Sequence, residues 1–465
     1  MIAFRVIHRL GGAKKKGPVG EALNSSCHDS AVHDFRVTTS ERSSVMPPNI
    51  RMLLGLVLLL VGVVSGIQLP FSGKPIIPSP ISHDEVKYAT GFTLRHIFHH
   101  GTEERAKLHL RKDVGPSYRM ASGRRSFHVS SQLKTVTRMS ERNPNFIESY
   151  LHYARTKGAV AIDFDWMHED IMVPNITDRD TLVEFAKITA DAYVEVPEGA
   201  DWIDVGLRYN ETGGFGWDSN GLRGHVFVDE TNTTVIIAIK GTSAALFHSD
   251  GDTVSNDKVN DNLLFSCCCA RISYLWSTVC DCYEKSYTCS QSCLEGALYA
   301  EDKYYRATLD IYRNTTSLYP TANIWVTGHS LGGAMSALLG RTYGLPTIAF
   351  ESPGEQLAAQ RLHLPFPPIP LNETTVWHVG NTADPIFMGV CNGPTSVCWL
   401  GGYAMETQCH AGLECIYDTV NDKRWHISIS NHRIRPIIDM MLSYNTTPTC
   451  VAPTNCQDCY DWNFV

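Results

Sequence analysis

With 465 residues, 43% hydrophobic, 19% charged and 10% aromatic, the chain holds enough apolar material for a packed core, which excludes wholesale disorder and collagen-like sequence. The net charge of −8 conceals a division: residues 1–142 carry 21 Lys+Arg against 10 Asp+Glu, and residues 143–465 carry 19 against 38. An acidic main body argues against nucleic acid as a partner, because phosphate binding needs dense Lys and Arg on the binding face.

Residues 1–51 hold eight Lys+Arg against four acids and read as a cytosolic tail. Met52 to Ile67 is an apolar run of sixteen residues interrupted only by Gly and Ser65. This is a little short of the ~20 residues that cross a hydrocarbon core as a straight helix. The twenty residues after it balance at two charges of each sign, so the charge asymmetry keeps the N-terminus cytosolic and the run reads as a single-pass signal anchor. The alternative is a cleaved signal peptide starting at Met46, since Val64, Ser65 and Gly66 resemble a small-residue cleavage site. Either way, the rest of the chain enters the secretory pathway. Residues 68–142 open with Pro70, Pro75, Pro78 and Pro80 and continue with Arg105, Lys107, Arg111, Lys112, Arg124 and Arg125, the pattern of a basic, flexible lumenal stem able to hold an anionic lipid surface. Its His96, His99 and His100 read as exposed side chains rather than metal ligands.

From about residue 143 to 445 the signals are those of an α/β domain. Val226 to Val228 and Val235 to Ile239 read as a hairpin joined through Asp229, Glu230, Thr231 and Asn232. A helix over Leu294 to Tyr312 precedes a strand over Ile324 to Thr327, a helix over Leu331 to Tyr343, and strands over Thr347 to Phe350 and Thr375 to Val379. That alternation predicts a mostly parallel sheet covered by helices. Residues 446–465 read as a Cys-containing tail.

Of 15 cysteines only Cys27 precedes the apolar run; seven crowd into 267–293, within an insertion over 244–293, and seven more lie between Cys391 and Cys459. An even number in an oxidising lumen implies disulfides. Zinc is the alternative at Cys280/Cys282 and Cys456/Cys459, but paired C-x-x-C knuckles are lacking, and no metal is expected. Acceptor sequons for N-glycosylation occur at Asn175, Asn210, Asn232, Asn314, Asn372 and Asn445, positions that would be exposed if modified.

The chemistry centres on Gly328-His329-Ser330-Leu331-Gly332-Gly333, a G-x-S-x-G core between a strand and a helix. A serine on so sharp a turn needs glycine two before and two after, because side chains there would collide with the neighbouring strand and helix. A hydroxyl is a poor nucleophile until a base takes its proton and a third group orients that base. Asp384, after the strand ending at Val379, is the candidate acid; as the residue before Pro385 it could equally initiate a turn. Two histidines could be the base. His426 alternates with Trp425, Ile427 and Ile429 as on the outer face of a strand, whereas His432 follows in a loop, from which reaching Ser330 is easier, and is preferred. The backbone N–H groups of Leu331 and of Thr242, after the strand ending at Lys240-Gly241, are candidate oxyanion donors. His329 reads as a packing or solvated residue. These groups supply the chemistry without a metal or organic cofactor.

The GHSLGG elbow, KGTS at Lys240 to Ser243, NTADPI at Asn381 to Ile386 and the later His432 resemble the class 3 lipase family. With the signal anchor and the Cys-rich insertion between oxyanion strand and elbow, the resemblance is closer still to the fungal autophagy-related vacuolar lipases, over about residues 50 to 445. It implies an α/β-hydrolase fold, Ser330 as nucleophile, Asp384 as orienting acid and His432 as base. It also implies hydrolysis of phospholipid or neutral glycerolipid esters, and delivery through multivesicular endosomes to the vacuole. In that family the region 244–293 supplies a lid, consistent with Leu263, Leu264, Phe265, Tyr274, Leu275 and Trp276. The fifty or so residues before the anchor are long for this group. A hydrolase of thioesters or peptides, and a non-catalytic glycosylated receptor, are the competing readings; oligomeric state is left open.

Overall fold

The computed structural model describes residues 88–100, 109–115, 126–157, 164–193, 221–242, 254–271, 276–370, 373–454 and 456–465. All of them belong to the compact unit Ser82–Val465. The tail 1–51 and the apolar run Met52–Ile67 lie outside the described residues, among which no helix is long and apolar enough to cross a membrane.

The strands in chain order are β1 (Tyr88–His100), β2 (His109–Asp113), β3 (Phe127–Met139), β4 (Trp166–Pro174), β5 (Arg223–Asp229), β6 (Thr234–Ile239), β7 (Tyr283–Lys285), β8 (Thr288–Cys289), β9 (Asn323–His329), β10 (Thr347–Phe350), β11 (Val376–Asn381), β12 (Leu413–Tyr417), β13 (Cys450–Val451) and β14 (Asn463–Phe464). One sheet runs β13-β12-β11-β10-β9-β6-β5-β1-β3-β4, with β2 paired to β1. Its heart, β6-β9-β10-β11-β12, is parallel, and every flanking joint is antiparallel. The parallel character expected from the sequence therefore belongs to the centre alone. The principal helices are α1 (Pro144–Lys157), α2 (Arg179–Asp191), α3 (Val254–Phe265), α4 (Gln291–Leu298), α5 (Tyr304–Leu318), α6 (Leu331–Tyr343), α7 (Gln356–Arg361) and α8 (Ile434–Leu442).

The centre follows directly from its residues. Val235 to Ile239 form an unbroken apolar run, as a strand covered on both faces requires. Val235, Ile237 and Ile239 enter one core together with Val326 and Leu331; Ile236 and Ala238 enter the opposite core with Trp325 and Phe185. The hairpin β5-β6 closes as expected, around Asp229: its carboxylate accepts the backbone N–H groups of Thr233 and Thr234 at 2.8 and 3.1 Å, while Asn232 takes a positive φ of 57°.

Three sequence expectations need correction. Within the supposed stem, residues 88–100, 109–113 and 127–139 are strands, whereas Arg105, Lys107, Arg124 and Arg125 lie outside the described residues: β1 and β3 bury Phe92, Phe98, Phe127 and Val129, Arg111 pairs with Asp113, and His96 and His100 are held by Asp113 and Asp310 rather than exposed. The helix expected over Leu294 to Tyr312 is two helices, α4 and α5, separated at Tyr299 to Lys303. The supposed tail is integrated, with β13 on β12 and β14 on β8.

All fourteen cysteines past the apolar run are paired, as Cys267–Cys459, Cys268–Cys289, Cys269–Cys280, Cys282–Cys293, Cys391–Cys398, Cys409–Cys456 and Cys415–Cys450. The candidate zinc thiols at 280, 282, 456 and 459 are thus consumed by sulfur. Within the insertion, Leu263, Leu264 and Phe265 are core residues at the end of α3, so they offer no apolar face to a lipid surface; Tyr274 and Leu275 lie outside the described residues, and Trp276 packs against Trp399.

Candidate active site

Strand β9 runs into α6 through Ser330, whose φ of 57° and ψ of −130° would be strained for any side chain not held by its surroundings. The glycines on either side make the turn possible. A Cβ on Gly328 would lie 2.2 Å from the carbonyl oxygen of Gly332, and one on Gly332 would lie 2.2 Å from that of Ile239. The elbow therefore rests directly on the end of β6.

Three loops converge on this turn. His432 is carried by a single 3-10 turn, Ile429–His432, and its Nε2 lies 2.8 Å from Ser330 Oγ. Its Nδ1 lies 2.7 Å from Asp384 Oδ2, on the turn after β11. Facing a carboxylate, Nδ1 carries the proton, which leaves Nε2 to accept from the serine hydroxyl. Asp384 also initiates the local turn, since its Oδ1 accepts the N–H of Ile386 at 2.9 Å, so the turn contact and the contact with His432 coexist on one carboxylate. Burial pushes the Asp384 carboxyl upward, but the imidazole of His432, a hydrogen bond from Glu351 and the Ile386 N–H outweigh it and hold the group below its ordinary value. His426 is exposed, and no strand forms over 424–430. Asn431 instead ties that segment down, donating to the carbonyls of His426 and Ala383 at 2.8 and 3.3 Å.

Leu331 opens α6, so its N–H belongs to a first turn whose donors lack acceptors within the helix. Gly241 abuts the elbow: a Cβ there would lie 3.2 Å from Ser330 Cβ. Thr242 follows, its hydroxyl donating to Asp261 of α3 at 2.7 Å, which leaves its backbone N–H as the group that could serve an oxyanion. Burial pushes the Asp261 carboxyl up to about 8.

Several residues at the site carry no sequence signal. His329 is neither solvated nor idle: it is buried, its Nε2–H donates to the carbonyl of His432 at 2.6 Å, and its Nδ1 accepts from the hydroxyl of Tyr193 at 2.7 Å. Burial, with the nearby His432, depresses it to about 3, so it is a fixed neutral splint on the base. Lys240 donates to Gly241 O at 2.9 Å and faces Asp257 at 3.7 Å, pinning the β6 terminus. These depend on long-range contacts that no local pattern encodes.

Glu355, His378 and His410 form a buried group with metal-ligand chemistry. Its members are already engaged: Ser352 bridges His378 Nδ1 and His410 Nε2, each at 2.9 Å, His410 Nδ1 pairs with Glu414 at 2.9 Å, and Ala411 N–H donates to Glu355 at 3.0 Å. This is an internal charge network. Of the sequon asparagines, Asn232 and Asn445 are exposed and Asn314 is half-buried on α5; Asn210 and Asn372 lie outside the described residues. Asn175 departs from expectation, being 2% exposed with its side-chain oxygen accepting from Thr177.

A serine elbow at the C-terminal edge of a parallel sheet, with acid and histidine on later loops, defines an α/β-hydrolase. A model of the class 3 lipase family matches residues 273–343. A protein of Yarrowia lipolytica named as an ATG15 lipase is 55% identical over 84% of this chain and 75% of its own length; one of Pichia angusta, named likewise, is 52% identical over 81% and 75%. Among solved structures, the Lip2 lipase of Yarrowia lipolytica aligns at 17% identity, with a TM-score of 0.23, over 42% of this chain and 62% of that one. The chain belongs to the class 3 lipases, in the group of the ATG15 lipases, and is a carboxylic ester hydrolase.

Proposed function

We infer that the protein is a membrane-anchored serine lipase that cleaves phospholipid or neutral glycerolipid esters in the lumen of endosomes and the vacuole, where it takes apart autophagic vesicles. The observation that carries the catalytic part is the 2.8 Å and 2.7 Å spacing of Ser330, His432 and Asp384. Ser330 Oγ attacks the ester carbonyl as His432 Nε2 takes its proton; Asp384 holds the ring in the productive tautomer and balances the imidazolium. The tetrahedral oxyanion is received by the N–H groups of Leu331 and Thr242. His432 then protonates the leaving alcohol, and a water activated by the same nitrogen releases the fatty acid from Ser330. The lipid substrate is supported by the lipase relatives, and the autophagic role by the name those relatives carry. Anchoring is supported by the charge asymmetry around Met52–Ile67, the lumenal site by seven disulfides, and glycan attachment by the exposure of Asn232 and Asn445.

The test is fluorophosphonate labelling of the purified chain together with mass identification of products from phospholipid and triacylglycerol vesicles. Labelling of Ser330 with release of free fatty acid is expected. Ser330→Ala and His432→Ala should each abolish release, because triad members act as a unit, whereas His426→Ala should retain most activity. An active His432→Ala beside a dead His426→Ala would reassign the base.

A further inference from the structure

Glu351 follows directly on β10, in the register that sets Phe350 beside His329 and Val379, and thus stands between the elbow and the acid-bearing turn. It is fully buried and takes a positive φ of 43°, a conformation in which a bulky non-glycine residue is retained only if its surroundings insist. Its N–H donates to Val379 O at 2.9 Å. Its Oε1 accepts from the side-chain amide of Asn381 at 2.7 Å, and Oε2 receives the Asn381 backbone N–H at 3.4 Å.

Asn381 is the hinge-pin of the same turn. Its Oδ1 accepts from Ala383 N–H at 3.0 Å and from the Thr419 hydroxyl at 2.9 Å, its carbonyl accepts from Asp384 N–H at 3.1 Å, and its amide lies 3.5 Å from the carbonyl of Asn431, the residue before His432. The Glu351 carboxyl also faces that of Asp384, and the charge and hydrogen bonding of each act on the other. Two carboxyl groups share a hydrogen bond only when one is protonated. Asp384 already accepts from Ile386 and faces His432, so it is the ionised partner. Glu351, buried and beside that negative charge, is pushed well above the ordinary carboxyl range.

We propose that Glu351 is a positioning residue for the triad acid, its carboxyl O–H donating a hydrogen bond to Asp384 that fixes the carboxylate against His432 and spreads its charge. The proposal rests on the triad reading above. It explains why an acidic residue is tolerated in a strained, dry position beside another carboxylate. The titratable groups around Glu351 are Asp384 on the turn after β11, with His432 beyond it, His329 at the end of β9, and the Glu355–His378–His410 network that begins four residues on.

The experiment measures kcat and KM for a soluble ester across pH for the full chain and for Glu351→Gln and Glu351→Ala. Gln keeps an N–H donor and cannot ionise, so kcat should stay within about threefold of wild type, and the decline of wild-type activity at alkaline pH, where Glu351 loses its proton, should be reduced. Ala removes the donor, so kcat should fall about 10- to 100-fold at unchanged KM, and the acid limb should move to higher pH because Asp384 then holds its proton more tightly. If Gln is as impaired as Ala, or if both profiles superimpose on wild type, Glu351 does not act as a donor. If the Ala variant fails to fold, the Gln profile alone decides. Fluorophosphonate labelling of wild-type Ser330 is run alongside: absence of labelling indicts the triad reading, whereas labelling with unchanged Glu351 profiles overturns this proposal only.

Discussion

Strands β6, β9, β10 and β11 contain no cysteine and bury nearly every side chain, whereas β7, β8 and β14 are two or three residues long and lie among the bridges Cys267–Cys459, Cys268–Cys289, Cys269–Cys280 and Cys282–Cys293. The first region is wide enough for apolar burial to hold it. The second clusters a few side chains, among them Leu294, Tyr283, Trp462 and Phe464, around sulfur, an area too small to offset the entropy of ordering its loops without covalent closure. One polypeptide therefore uses two means of holding shape; Ser330 and Asp384 lie just after strands of the first region, whereas His432 lies within the segment that Cys415–Cys450 closes.

The contrast can be broken experimentally. The largest loss of stability should follow removal of Cys267–Cys459, which spans 192 residues; loop entropy puts it at about 5 kcal/mol. Removing Cys282–Cys293, which spans 11, should cost about 3 kcal/mol. Denaturant titration of the two double-serine variants checks the order, and kcat below the transition should stay near wild type in both; a collapse of kcat would show that the bridges shape the site. Next, Gly332→Ala forces a Cβ to 2.2 Å from Ile239 O and should part α6 from β6, lowering kcat about 100-fold while far-ultraviolet dichroism is kept. The last effect depends on pH and concerns Asp261, raised to about 8 by burial. A carboxyl raised on folding favours the native state fully below its unfolded pKa of about 3.9, and that contribution is lost as pH rises towards about 8. Asp261→Asn should therefore match wild type in melting temperature at pH 4 and exceed it by a margin that grows as the pH rises towards about 8. Equal melting at both values would mean that Asp261 stays ionised.

The same contrast explains what could be read from residues alone. The β5-β6 hairpin, the elbow, α6 and β10 were legible because each is written by neighbours in sequence: an apolar run, an Asp at a turn, glycines spaced around a serine. Asp384 and His432 were legible because chemistry and chain order restrict where they can lie. Strand β1 was not, since the register shift between Leu94 and His96 puts Phe92, Leu94 and Ile97 on one face, at a spacing of two and then three that no strict alternation marks, and basic residues alongside imitate a solvated linker. The pairing of fourteen cysteines is a matter of long-range geometry. Glu351 looks like any polar residue after a strand, and only the approach of the β11 turn gives it a role.

A consequence for biosynthesis lies in the position of the bridges. Cys267, Cys409 and Cys415 have their partners at Cys459, Cys456 and Cys450. Ser330, Asp384 and His432 all precede Cys450, so on a chain growing from its N-terminus they emerge before any of these three bridges can close. A translation product stopped between residues 445 and 449 should carry three unpaired thiols, Cys267, Cys409 and Cys415, that an isomerase or a quality-control system can recognise.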